Sequence, residues 1–207
     1  GFDFTGEIRR YFDHHLKGVD NGIEREPRAT YWRKDGSEAG QYVRSEELPG
    51  QTSEALSFYL GGTGDETPSA EGRLSARAAP AGASTFTVDY DLPPSDYFSF
   101  WPGSLHGKGA SFTGEPLKES LKLVGFPVAN VAMKADRPDA NVFVYLEEIA
   151  STGDVEVISF GRLKLSNRKV SPAPYDMMGL PWHSGLKADA VPLAQGEAAH
   201  LSISMMP

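Results

Sequence analysis

Short runs in which apolar and polar residues alternate recur from residue 29 onward, and this period of two constrains the fold more than any other feature. Ten runs predict strands: 29–32, 41–44, 56–60, 85–90, 121–124, 128–133, 142–149, 155–160, 162–165 and 199–205. Gly, Pro and Asp at turn positions separate most of them. Many short strands without an intervening helical pattern predict an all-β antiparallel sandwich, and we expect a jelly roll.

The start of the chain is the exception, because its apolar residues recur at helical spacing. One stripe holds Ile8, Tyr11, Phe12, His15 and Leu16. Thr5 is placed to cap the helix, and Gly18 is placed to end it in a left-handed turn. A single helix before a long strand-like sequence has no helical partner within this chain. We therefore expect the stripe to be buried against a domain that lies upstream.

This first segment also carries a family resemblance. The run RRYFDHHLKGVDNGI resembles the last helix of the α/β-hydrolase domain in serine hydrolases of the cocaine esterase and X-Pro dipeptidyl-peptidase type. Residues 112–149 and 160–169 are similar to successive strands of the C-terminal β-domain in that family. The resemblance implies that residues 1–26 are the last helix and linker of a catalytic domain. Residues 27–207 would be the C-terminal domain, a jelly-roll β-sandwich of the galactose-binding-like kind, truncated at its end because the family normally continues further.

The resemblance also implies that catalysis resides in the upstream domain and not in this chain. The parent would be an esterase or X-Pro dipeptidyl-peptidase with a Ser-His-Asp triad, and this chain would be a non-catalytic domain that covers and shapes its active site. The sequence holds no Gly-x-Ser-x-Gly elbow, so all three triad members are expected outside the chain. The partner would be the upstream α/β-hydrolase domain. The candidate residues for that domain interface are Ile8, Tyr11, Phe12 and Leu16.

A cluster of aromatic residues stands out between two proline-containing turns, at residues 97–101. Alternation would place Tyr97 and Trp101 opposite Phe98 and Phe100, so that one core cannot accept all four. The plainer interpretation is a hydrophobic plug beneath a loop. The functional interpretation makes Phe98, Phe100 and Trp101 candidates for the rim of the substrate pocket in the parent enzyme.

No metal or cofactor is expected from the spacing of potential ligands. His14 and His15 fall on or beside the apolar stripe and are interpreted as packing or surface residues, and the other histidines are isolated in sequence. Three turn aspartates could hold calcium at one end of a sandwich: Asp136, Asp139 and Asp154. Solvated turn residues are the simpler interpretation, because turns select aspartate anyway.

Charge and composition restrict the partners. The net charge of −8 over 207 residues argues against nucleic acid and anionic lipid, both of which need a basic surface. No apolar run approaches the roughly 20 residues that cross a bilayer. The absence of cysteine excludes disulfides without fixing a compartment, cytoplasmic or secreted.

Two alternatives from other functional classes remain open. Jelly rolls of this size also occur as free-standing carbohydrate-binding modules, and exposed aromatic residues at 97–101 would suit sugar faces. A domain that only assembles a homo-oligomer is the other class. Oligosaccharide binding would favour the first, and a stable dimer with a large apolar patch would favour the second.

Overall fold

The computed structural model describes residues 2–33, 40–47, 54–62, 71–78, 82–90 and 108–206. The described chain is mostly β-strand with one α-helix, which confirms the predicted β-rich class. It divides into two compact units, Gly1–Glu54 and Ala55–Pro207. No helix within the described ranges is both long enough and apolar enough to span a bilayer.

The first unit begins with helix α1, Phe4–Lys17. Its cap is Asp3 rather than the predicted Thr5: the Asp3 carboxylate accepts the Gly6 backbone N–H at 2.9 Å, which satisfies a donor that the first turn leaves free. Gly18 ends the helix in the left-handed conformation, as predicted. A short 3₁₀ turn, Ile23–Arg25, follows.

Two strands complete the first unit. Strands β1 (Ala29–Arg33) and β2 (Gln41–Ser45) pair antiparallel, close to the predicted ranges. The register places Trp32 opposite Tyr42, and their rings meet edge to face at 4.7 Å between centroids. This cross-strand aromatic pair stabilises the hairpin on one face.

The second unit opens with a three-stranded sheet in which β4 (Glu71–Ser75) is central. It pairs antiparallel with β3 (Tyr59–Gly62) and parallel with β5 (Ser111–Thr113). The alternation of apolar residues predicted neither β4 nor β5. The parallel pair also departs from the predicted antiparallel arrangement, because partners far apart in sequence leave no local turn signal.

The C-terminal part contains two antiparallel pairs. Strand β6 (Val128–Met133) pairs with β9 (Ala199–Ser204), and β7 (Asn141–Ile149) pairs with β8 (Val155–Lys164). An isolated bridge between Gly161 and Met205 joins β8 to the chain that follows β9. The buried cluster between them consists of Leu165, Leu193, Ala199, Leu201 and Ile203.

Several predicted strand boundaries are corrected. Residues 85–90 and 121–124 alternate in polarity but form no strand, and 56–58 precede β3 instead of belonging to it. The runs 155–160 and 162–165 are one strand that ends at Lys164, where the chain enters a 3₁₀ turn, Leu165–Asn167. In residues 85–90 the apolar side chains Phe86 and Val88 are exposed, so no burial favours the pleated conformation there.

Candidate functional site

The apolar face of α1 is exposed along its whole length. Its four predicted interface residues are about half or more accessible: Ile8 58%, Tyr11 51%, Phe12 49% and Leu16 76%. Among the described residues of this helix, none is buried. Isolated apolar side chains at a surface are ordinary, but a continuous stripe of this kind marks an interaction surface.

The 3₁₀ turn after the helix extends this face. Ile23 lines an open groove of about 470 Å³ together with Glu7, Ile8, Tyr11 and Phe12. The sequence analysis missed Ile23, although the turn at residues 20–22 was a usable signal that the chain reverses toward the helix. We define the docking face as Ile8, Tyr11, Phe12, Leu16 and Ile23.

Polar contacts hold the turn against the helix. Asn21 donates its side-chain N–H to the Arg10 carbonyl oxygen at 2.7 Å, and Arg10 pairs with both Glu7 and Glu26. The hydrogen bond to Arg10 lowers the pKa of the Glu26 carboxyl. These contacts fix the position of Ile23 relative to the helix, so the groove is preformed.

Two histidines and a glutamate meet where α1 ends. The His14 ring contacts the Val19 carbonyl oxygen through Nδ1 at 2.9 Å and lies 3.1 Å from Glu24 Oε1 through Nε2. The Val19 carbonyl and then Glu24 raise the pKa of the His14 imidazole. The His15 ring packs edge to face on His14 and lies 4.3 Å from the Tyr11 ring between centroids.

The three turn aspartates do not form the calcium site that was considered. Both carboxylate oxygens of Asp139 are occupied by its own chain: they accept the Ser166 N–H at 2.9 Å, the Ser166 hydroxyl at 2.8 Å, and the Ala140 N–H at 3.0 Å. Asp154 accepts the Thr152 hydroxyl at 2.6 Å. Within the described ranges, Asp136, Asp139 and Asp154 share no cluster of metal-binding groups.

The remaining candidates are only partly placed. Phe98, Phe100 and Trp101 lie outside the described residues, so their predicted place at a substrate rim stays a prediction. His183 lies between two backbone carbonyls, those of Lys169 at 3.1 Å and Ser202 at 2.9 Å, which gives it a structural role.

Comparison with known proteins identifies relatives along the whole chain. The family described as "X-Pro dipeptidyl-peptidase C-terminal non-catalytic domain" matches residues 21–207. A Mycobacterium bovis protein named "Putative serine esterase" is 28% identical over 222 aligned positions, which cover 100% of this chain and 33% of the relative. A Streptomyces avermitilis protein named "Putative Xaa-Pro dipeptidyl-peptidase" is 31% identical over 153 positions, 72% of this chain and 21% of the relative.

Among solved structures, a CocE/NonD family hydrolase from Staphylococcus aureus matches with a TM-score of 0.47 and 13% identity. The match covers 98% of this chain and 34% of that one. The chain thus spans about a third of the mycobacterial relative and about a fifth of the streptomycete relative.

Proposed function

The chain belongs to the family of X-Pro dipeptidyl-peptidase C-terminal non-catalytic domains, and we propose that it serves a serine hydrolase by packing on its α/β-hydrolase domain and shaping the active site. The observation that carries this proposal is the docking face. Its helical residues are exposed in a chain whose family is defined as the non-catalytic part of a hydrolase.

The hydrophobic effect favours burial of the docking face. Each large apolar side chain contributes roughly 1.5 to 3 kcal/mol when it is fully removed from water. Ile8, Tyr11, Phe12 and Leu16 together offer several kcal/mol, which a second domain of the same polypeptide would gain without the entropic cost of bimolecular association. The helix therefore suits an intramolecular interface better than a solvent-exposed surface.

The same proposal gives the chain its domain boundaries. Residues 1–26 would be the last helix and linker of the hydrolase domain, and residues 27–207 would form the jelly-roll domain. The family match that starts at residue 21, soon after α1 ends at Lys17, supports this division. The antiparallel pairs β6–β9 and β7–β8 around one buried cluster support a sandwich.

The substrate preference of the parent would depend in part on the aromatic segment. Phe98, Phe100 and Trp101 would present large rigid rings to the acyl or proline-like group of the substrate. Such contacts act on the transition state only when the group is large enough to reach them. We therefore expect the segment to affect the choice between substrates more than the chemical step itself.

Kinetics of the full-length hydrolase with Phe100→Ala test this function. We expect kcat/KM for a benzoyl ester to fall about tenfold while kcat/KM for an acetyl ester changes little, because only the benzoyl ring loses a contact. Phe143→Ala, at an exposed phenylalanine of β7, is the control and should alter neither. Equal losses on both esters with strong destabilisation would place Phe100 in a core.

A coding sequence without an upstream hydrolase domain would refute the proposal outright.

A further inference from the structure

We propose that His14, His15 and Glu24 form a zinc-binding site at the C-terminal end of α1. Their ligand-capable atoms all lie within 4.8 Å of one another. Neighbouring histidines do not match a common zinc-binding spacing, so no metal was predicted here from the spacing of ligands. All three residues lie in the first unit, so the site needs no residue from outside it.

The orientation of His14 carries the argument. Its Nδ1 donates a hydrogen to the Val19 carbonyl oxygen, and in the neutral imidazole this leaves Nε2 with a free lone pair. That lone pair faces the Glu24 carboxylate at 3.1 Å. Two acceptors at this distance require either a proton on Nε2 or a metal ion that both atoms bind. A ring nitrogen held by a backbone carbonyl while the other binds zinc is the usual arrangement around metal-binding histidines.

The chain on both sides of Glu24 is held against α1. Asn21 donates a hydrogen bond to the Arg10 carbonyl oxygen, and the Arg10 side chain pairs with Glu26, two residues after Glu24. Gly18, with φ 70°, allows the chain to turn back at the helix end. A short connection therefore brings Glu24 next to the end of α1.

The chemistry of the donors selects the metal. Two imidazoles and one carboxylate form a mixed nitrogen and oxygen set that suits zinc better than calcium or magnesium, which prefer oxygen alone. A helix C-terminus carries partial negative charge, which favours a bound cation. Three protein ligands leave a fourth position for water. The exposed position of His15 and Glu24 gives the ion direct access from solvent.

Calorimetric titration of the tag-free, metal-depleted 207-residue chain with Zn²⁺ tests the site. We expect one ion per chain, and we expect His14→Gln, His15→Gln and Glu24→Gln each to weaken binding at least about tenfold, since even outer-shell changes cost 10- to 100-fold. His200→Gln, at an exposed histidine of β9, is the matched control and should bind as the wild type does. Circular dichroism of each variant verifies that the fold is retained.

The Co²⁺ form gives a second measurement. Its visible absorption should show the intense bands of a four-coordinate ion in the wild type and lose them in His14→Gln. Absence of saturable Zn²⁺ binding would leave His14 and Glu24 as a simple ion pair and overturn the proposal. Equal weakening by His200→Gln would also overturn it, because the binding would then be nonspecific.

Discussion

At the scale of single residues, Asp139 is a turn aspartate whose hydrogen bonds stabilise the fold. Its carboxylate joins the turn before β7 to the 3₁₀ turn after β8 through Ser166, and Lys164 lies 3.0 Å away. Ser166 is buried, and its neighbour Leu165 is fully inaccessible in the main cluster. Sequence alone could place the aspartate in a turn but could not show that its partner lies 27 residues further along the chain.

Asp139→Asn should destabilise the protein by about 1.5 to 3 kcal/mol, because hydrogen bonds to a charged group are the strong ones and an amide offers one acceptor oxygen instead of two. Urea unfolding followed by circular dichroism measures the loss. Asp136→Asn, at an exposed aspartate of the same turn, should stay within about 0.5 kcal/mol of the wild type. Equal effects at the two positions would contradict the role given to Asp139.

The same contribution should depend on pH. Burial raises the pKa of the Asp139 carboxyl, but hydrogen bonds from Lys164, Ser166 and Ala140 outweigh it and hold the pKa below its ordinary value of 3.8. A depressed folded-state pKa contributes stability that is complete above the ordinary value and lost as the pH falls through the lower one. The stability difference between wild type and Asp139→Asn should therefore shrink between about pH 5 and about pH 2.

At the scale of elements, the sequence predicted those whose signal is local. Helix α1 was predictable from its apolar spacing and from Gly18, and β6, β7 and β9 from alternation. Strand β4 was missed because its residues, EGRLS, carry one large apolar side chain and its partners are distant in sequence. Residues 121–124 alternate without forming a strand, because alternation reports a burial preference and not the presence of a partner strand.

The close approach of β8 to the chain that follows β9 requires a glycine at position 161. The Met206 N–H bonds to the Phe160 carbonyl oxygen at 2.9 Å. A Cβ on Gly161 would lie 2.6 Å from the Ser204 carbonyl oxygen and 3.0 Å from Ile203 Cγ2. Backbone atoms that are hydrogen-bonded cannot move aside cheaply, so only glycine allows this approach.

Gly161→Ala should therefore destabilise the protein by about 1 to 3 kcal/mol through overpacking. Thermal unfolding followed by circular dichroism measures the change. Gly109→Ala is the control, because a Cβ there meets no atom within 4 Å, and its effect should be small or slightly stabilising. An unchanged melting temperature for Gly161→Ala would show that the two strands separate easily.

At the scale of the whole molecule, family membership was predictable and the candidate site only in part. The quoted sequence runs pointed to the X-Pro dipeptidyl-peptidase type, and the family match over residues 21–207 confirms it. The helical part of the docking face followed from periodicity, whereas Ile23 and Glu24 come next to α1 through tertiary contacts such as that of Asn21 with Arg10. Contacts of that kind have no periodic signature, so sequence patterns do not report them.

The central claim is that the docking face packs on a hydrolase domain. Sedimentation velocity of this chain mixed with the upstream hydrolase domain, prepared as a separate polypeptide, tests it directly. A chelator in the buffer removes zinc, so that metal binding at His14, His15 and Glu24 cannot affect the measured association. Tyr11→Glu with Leu16→Glu alters the docking face, and Tyr175→Glu with Leu186→Glu is a matched pair of comparably exposed residues elsewhere.

We predict a one-to-one complex for the wild type and for the Tyr175→Glu, Leu186→Glu pair, and none for Tyr11→Glu with Leu16→Glu, because buried carboxylates without partners oppose association. Failure of the wild type to associate, or equal behaviour of the two pairs, would contradict the claim.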